Sequence, residues 1–226
     1  MYRKKLLLIQ LILASSLAAF ATYTTAAEDD DAIKRAKAFP HAGGDIREFR
    51  VGVPVDDLPA LGYRRFACGQ NGKPPVQRLE GWNDYATCPP DSEGLYEVAF
   101  QYDNDDAGES VEGTGVAGHP VLISLLLNSE GIVDGIRFFT DPEASSYNIR
   151  RSYILAGIAR TRFGWQGFEC VDLPRKGGEF ELGGVFHKER CVKDFGDRTI
   201  AIEKYFYRAP DGKVNKAFLE IRRNVD

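Results

Sequence analysis

The order of apolar and polar positions along the chain predicts antiparallel strands in its first half. Residues 46–51 and 95–102 alternate with a period of two, as strands with one buried face do. Residues 121–127 are apolar at almost every position, which is typical of a strand buried on both faces. A tight turn at 128–131 separates this strand from 132–140, so these two segments are expected to form a hairpin.

The second half of the chain predicts further strand pairs. Residues 184–195 and 199–208 are expected to form a hairpin around Gly196 and Asp197. A turn at 210–212 then leads into a strand at 214–221. The C-terminal part of the chain is therefore predicted to be a short antiparallel sheet.

Beyond residue 44, helical signals are found in two places. Residues 55–61 predict a short helical turn that ends at Gly62. Asp141, Pro142 and Glu143 are suited to the first positions of one long helix, which Gly164 ends. Its inward face is predicted from the spacing of Tyr147, Ile154, Leu155 and Ile158.

A pattern of Gly-aromatic-x-x-Phe-x-Cys occurs twice, at 62–68 and at 164–170. A second cysteine follows each copy at a similar distance. The recurrence predicts an α+β fold of two tandem modules, each a helical element packed on an antiparallel β-sheet with one disulfide. The expected boundaries are 45–140 for module 1 and 141–226 for module 2.

The four cysteines allow three disulfide pairings. The recurrence favours Cys68 with Cys88 and Cys170 with Cys191, because each module then has its own disulfide. A zinc site is disfavoured, since the spacing lacks a C-x-x-C and has no interleaved histidine; free thiols are the remaining alternative. No metal or cofactor is expected.

The N-terminal residues have the features of an export signal. Basic residues at 3–5 precede an apolar run at 6–20 and small residues at 25–27, which predicts a signal peptide at 1–27. A charged lead-in at 28–44 follows. Export predicts a periplasmic or secreted location, without stable membrane insertion after cleavage. Loss of three basic residues would change the net charge from −4 to −7, which disfavours nucleic-acid binding.

Candidate chemistry is sparse, and no catalytic residue is predicted. The loop at 103–109 has the opening of a calcium site, but Thr114 lies where a bidentate glutamate is needed, which favours a solvated loop. His41, His119 and His187 are too far apart in sequence to form a motif for metal binding or catalysis. The candidate binding residues are the aromatic residues Trp82, Tyr85 and Trp165.

Residues 51–62, with sequence VGVPVDDLPALG, resemble the opening of the modules in the beta-lactamase inhibitor protein and in small outer-membrane assembly lipoproteins. The resemblance implies a turn, a short helix ending in Leu-Gly, an antiparallel sheet, and a protein-binding surface on that sheet. Pro59 departs from the pattern, and the second predicted module lacks this opening.

Three functions are compatible with these features. The first is an exported periplasmic module that binds an envelope protein through a sheet face, without catalysis. The second is a protein of the cell envelope that binds a small ligand or glycan through exposed aromatic residues. The third is an envelope hydrolase that uses a pair of carboxylates, which the sequence alone does not locate.

Overall fold

The strands form one continuous antiparallel sheet in the computed structural model, which describes residues 45–69, 77–103 and 114–225. The nine strands are β1 (Tyr63–Cys68), β2 (Tyr96–Tyr102), β3 (Thr114–Val116), β4 (His119–Leu127), β5 (Val133–Thr140), β6 (Glu169–Asp172), β7 (His187–Asp194), β8 (Arg198–Ala209) and β9 (Gly212–Arg223). The helical segments are two 3₁₀ turns, Val55–Asp57 and Trp82–Thr87, and two α-helices, α1 (Ser146–Ile149) and α2 (Ile154–Arg162).

The strand order is β1-β2-β4-β5-β9-β8-β7-β6, with β3 paired to the start of β4. The first four and the last four strands of this path are each a meander, and the meanders meet through β5 and β9. The predicted hairpins β4–β5, β7–β8 and β8–β9 are present.

The predicted fold of two tandem helix-on-sheet modules is wrong. Strand β5 pairs with β9 over five residue pairs, from Gly135 with Arg222 to Phe139 with Phe218. Separate modules would leave these two apolar strands as exposed edges, which favour pairing with another strand. The described residues, 45–69, 77–103 and 114–225, therefore form one compact unit with a shared core.

The core lies on one side of the sheet. Alternate residues of the strands supply its floor, and Leu155, Ala156 and Ala159 of α2 cover the part over β8 and β9. Over β1 and β2 the cover comes from an aromatic cluster around Phe49 and Trp82, whose ring centroids are 5.6 Å apart. Residues 46–51 are not an edge strand, because Ile46 and Phe49 face each other across a tight turn and are buried.

The predicted long helix from Pro142 is replaced by the short helices α1 and α2. Asp141 accepts a hydrogen bond from the Glu143 amide, which forms a turn instead of a helix start, and Ser145 caps α1. The predicted inward face is also wrong in part, since Tyr147 is 61% exposed and Ile158 is 37% exposed. Gly164 does follow the end of α2, with a φ of 77°.

The predicted disulfides Cys68–Cys88 and Cys170–Cys191 are both confirmed. They are not structurally equivalent. Cys68–Cys88 links β1 to the end of the second 3₁₀ turn, whereas Cys170–Cys191 joins directly opposite residues of β6 and β7. The signal peptide at 1–27, the lead-in at 28–44 and most of the loop at 103–109 lie outside the described residues.

Candidate functional site

The side of the sheet opposite the core forms an open face. Side chains on this face alternate with core residues along each strand, so their position follows directly from the register. Among the described residues, no helix packs against its centre. We define the open face by Glu97 of β2, Leu122 and Ser124 of β4, Arg137 and Phe139 of β5, Phe218 and Glu220 of β9, Glu203 and Tyr205 of β8, and Arg190 of β7.

Two rings in contact lie near the centre of the open face. Phe139 and Phe218 are direct cross-strand partners, with ring centroids 4.7 Å apart and both rings half-buried. Leu122 lies beside Phe139 in the register and extends the apolar strip onto β4. The rings, together with three charged neighbours, line a shallow depression of about 240 Å³. Covering an apolar strip of this kind with a partner is favourable, because it removes apolar surface from water.

Ion pairs flank this strip on both sides. Arg137 contacts Glu220 and, at 3.4 Å, Glu97, and its side chain is only 14% exposed. Glu97 also accepts a 2.6 Å hydrogen bond from the Ser124 hydroxyl. Because these groups are partly desolvated, the network holds the arginine in one geometry more firmly than an exposed pair would.

A second pair lies on β7 and β8, where Arg190 contacts Glu203 at 2.7 Å. The hydroxyl of Tyr205 donates to the same carboxylate. Burial, followed by this hydrogen bond, raises the pKa of Tyr205 well above its usual range, so the phenol remains protonated at neutral pH. The carboxylates of the open face are therefore all held by cations or hydroxyl donors.

The loop between β6 and β7 closes one end of the open face. Lys188 donates to Glu179 at 2.9 Å and to the Pro174 carbonyl at 3.0 Å. The hydrogen bonds from Lys188 lower the pKa of the Glu179 carboxyl. Since Lys188 is opposite Tyr205 in the register, this contact holds the loop beside the aromatic and charged residues of the face.

The three predicted binding aromatics do not form one site. Trp82 is buried, 6% exposed, and its indole donates to the Pro59 carbonyl at 3.0 Å. Tyr85 is half-buried and packs on Tyr96, with ring centroids 5.5 Å apart. Only Trp165, at 57%, is exposed as the sequence suggested, and it lies beyond the end of α2.

Neither described histidine belongs to the open face network. His119 is buried, and burial followed by the nearby Arg151 lowers its pKa. Burial also lowers the pKa of His187, which packs toward Phe206. His41 lies outside the described residues. The close group Cys170, Glu189 and Cys191 offers no thiolate ligands, because its cysteines are joined in a disulfide.

The central residues of the open face were not identified from the sequence. Phe139, Phe218 and Arg137 occupy the alternate positions of β5 and β9 that oppose the core residues. Strand periodicity therefore contained the signal, but assigning these residues to one surface required the pairing of β5 with β9.

These features define a class of protein: an antiparallel sheet stabilised by two disulfides, with one face covered and the other open. No protein-family model, characterised protein or solved structure matches the chain. None of the helices in the described residues has the length and apolar character needed to cross a bilayer.

Proposed function

We propose that the chain is an exported, non-catalytic binding protein of the cell envelope that recognises a protein partner through the open face. The observation that carries the proposal is the Phe139–Phe218 pair, half-buried on a sheet face and bordered by ion pairs. Protein interfaces commonly have this anatomy, an apolar and aromatic centre within a polar rim that includes arginine.

The shape of the face favours a protein over a small molecule. Its depression of about 240 Å³ is smaller than the pockets of about 300–1,000 Å³ that usually enclose small ligands. A protein partner could contact the whole strip and the flanking charges, whereas a small ligand would bury only part of its own surface. The resemblance of residues 51–62 to modules of a protein inhibitor points in the same direction.

Location in the envelope is supported by the two disulfides, which fit an oxidising compartment. The predicted signal peptide at 1–27 agrees with this location. The alternative function, binding of a small ligand or glycan, is supported by one of its three candidate aromatic residues, because only Trp165 among them is well exposed. The hydrolase alternative has less support, because the acids of the open face are engaged in ion pairs.

Photo-crosslinking followed by affinity measurement tests the proposal. A photoreactive residue at position 218 should capture a specific envelope protein, whereas the same residue at Tyr147, exposed on α1, should not. The purified partner should then bind the double variant Phe139→Ala/Phe218→Ala at least about 30-fold more weakly, as expected for central interface aromatics. Tyr147→Ala is the matched control and should bind like the unmodified protein.

Two results would contradict the proposal. One is equal affinity of the partner for the double variant and for the unmodified protein, with both folded by circular dichroism. The other is equal capture of the same partner from positions 147 and 218.

A further inference from the structure

A second group of aromatic residues lies on the other side of the sheet, at the end of α2. The helix ends at Arg162, and Gly164 reverses the chain with a φ of 77°. Trp165 and Phe168 follow immediately. Lys193 of β7 is paired with the core residue Ile200, so its side chain points to the side that carries the helix.

Rings and cations alternate in this region. The Arg160 guanidinium carbon lies 4.1 Å from the centre of the Trp165 ring and 5.7 Å from that of Phe168. The Lys193 ammonium lies 5.5 Å from the centre of Phe168 and 4.7 Å from that of Phe195. We call these five residues the cation–aromatic row. Two of its rings are well exposed, Trp165 at 57% and Phe195 at 44%.

Arg160 is among the described arginines whose guanidinium contacts no carboxylate, and it is the one that lies over the rings of the row. Eight arginines of the described residues contact a carboxylate, namely Arg47, Arg64, Arg137, Arg175, Arg190, Arg198, Arg222 and Arg223. The Arg160 side chain makes no ion pair or hydrogen bond within the described ranges, and its Nε is buried without an acceptor. Its guanidinium packs against the rings of Trp165 and Phe168.

The row therefore carries two positive charges and no negative one. Lys193 uses its ammonium to bind the carbonyls of Phe163 at 2.7 Å and Gly164 at 3.0 Å, which fixes the end of the helix. Its charge is still available to attract an anion. Arg160 retains the planar set of N–H donors that matches a carboxylate in two parallel hydrogen bonds.

We propose that Arg160 is an anion-binding site that takes a carboxylate from an acidic segment of a partner protein, while an apolar residue of that segment packs on Trp165. A guanidinium already stacked between rings loses little side-chain entropy on binding, so the site is preorganised. Because Nε is buried, the carboxylate would be bound by the two terminal nitrogens, Nη1 and Nη2. The site is independent of the open face, which lies on the opposite side of the sheet.

An acidic protein segment fits better than an anionic membrane surface. Exposed Asp194 and Asp197 flank Phe195, and the chain as a whole has a net charge of −4. A bilayer rich in anionic lipid would meet these acids as well as the two cations. A narrow peptide segment can reach Arg160 without contacting them.

Nuclear magnetic resonance with defined peptides tests the site. The probe is a capped pentapeptide with the sequence Gly-Leu-Glu-Leu-Gly, and its control has Gln in place of Glu. The Arg160 Nε–H and Trp165 indole resonances should shift on addition of the Glu peptide and should shift far less with the Gln peptide. Arg160→Gln should weaken binding of the Glu peptide about tenfold or more, because a charge-assisted pair is lost.

The matched control is Arg208→Gln, which removes an exposed arginine of β8 and should leave the affinity unchanged. The double variant Phe139→Ala/Phe218→Ala should also bind the peptide normally, which separates this site from the proposed function of the open face. Equal shifts with both peptides, or equal affinity after Arg160→Gln, would overturn the proposal. So would Arg160-dependent binding to phosphatidylglycerol vesicles with no response to the Glu peptide.

Discussion

At the residue scale, two glycines show opposite requirements. A Cβ on Gly135 of β5 would lie 2.6 Å from a Leu126 methyl carbon and 3.1 Å from the Ile221 carbonyl oxygen. A Cβ on Gly157 of α2 would have no heavy atom within 4 Å. Glycine is therefore required at position 135, where β5 lies between two neighbouring strands. At position 157 glycine only lowers the stability of the helix.

The same substitution should consequently have opposite effects at these two positions. Gly135→Ala should destabilise the protein by about 1–3 kcal/mol through overpacking. Gly157→Ala should stabilise it by about 0.5–1 kcal/mol, because alanine loses less backbone entropy in a helix. Urea unfolding of both variants measures the difference, and a stabilising effect of Gly135→Ala would contradict the packing argument.

The two arginines of the open face should also differ. Arg137→Gln removes the cation that Glu97 and Glu220 share in a partly desolvated site, and should cost about 1–3 kcal/mol of unfolding free energy. Arg190→Gln removes a pair whose arginine is 45% exposed, and should cost under about 1 kcal/mol. Equal losses in urea unfolding would show that burial does not set the strength of these pairs.

Residue-level prediction from the sequence succeeded where the chemistry was local. The cysteine pairing followed from a recurring spacing. The exposure of single aromatic residues could not be predicted in this way. Trp82 is buried by contacts with Phe49, Phe66 and Phe100, which come from distant segments. The spacing of residues around Trp82 contains no information about those contacts.

At the element scale, strands were predicted better than helices. A strand such as β4 is specified by a run of apolar residues and a following turn, both of which are adjacent in sequence. The segment after Asp141 contains good helix-start residues, but Asp141 is buried and its side chain accepts from the Glu143 amide in a turn. Its actual boundaries depend on packing against β8 and β9, which the local sequence does not reveal.

The two disulfides should differ in their accessibility to reductant. Cys68 and Cys88 are 1% and 3% exposed, whereas Cys170 lies on the exposed edge strand β6. Mild reduction followed by alkylation and mass spectrometry should therefore label Cys170 and Cys191 first, because thiol–disulfide exchange requires access to a sulfur atom. Earlier labelling of Cys68 and Cys88 would contradict the described burial.

At the scale of the whole molecule, the shared core replaces the two predicted modules. The recurrence of Gly-aromatic-x-x-Phe-x-Cys predicted the correct disulfides. It also suggested two separately packed modules, which the structure does not have. The determining contact is the pairing of β5 with β9, between residues such as Arg137 and Glu220 that are 83 positions apart. Nothing in either strand alone indicates its partner.

The stability of the whole molecule should fall as the pH is lowered from about 7 to 5. Burial lowers the pKa of His119 and His187 from the usual value of about 6.5, so the unfolded chain binds their protons more tightly. Stability is then fully present above that value and is lost as the pH falls toward the lowered pKa values. Urea unfolding of His119→Gln should show a weaker dependence on pH in this interval, and an unchanged slope would exclude His119 as a source.

The central position of β9 has a consequence for how the chain folds. Hairpins β4–β5 and β8–β9 join neighbouring segments and can form early, because their loops are short. Pairing of β5 with β9 must close a much longer loop, and non-local pairing of this kind slows folding. Before β9 pairs with it, β5 is an unpaired apolar edge strand, and such edges favour pairing with strands of other molecules. We therefore expect the pairing of β5 with β9 to limit the folding rate. The state in which this pairing has not yet formed should be the one most prone to aggregate.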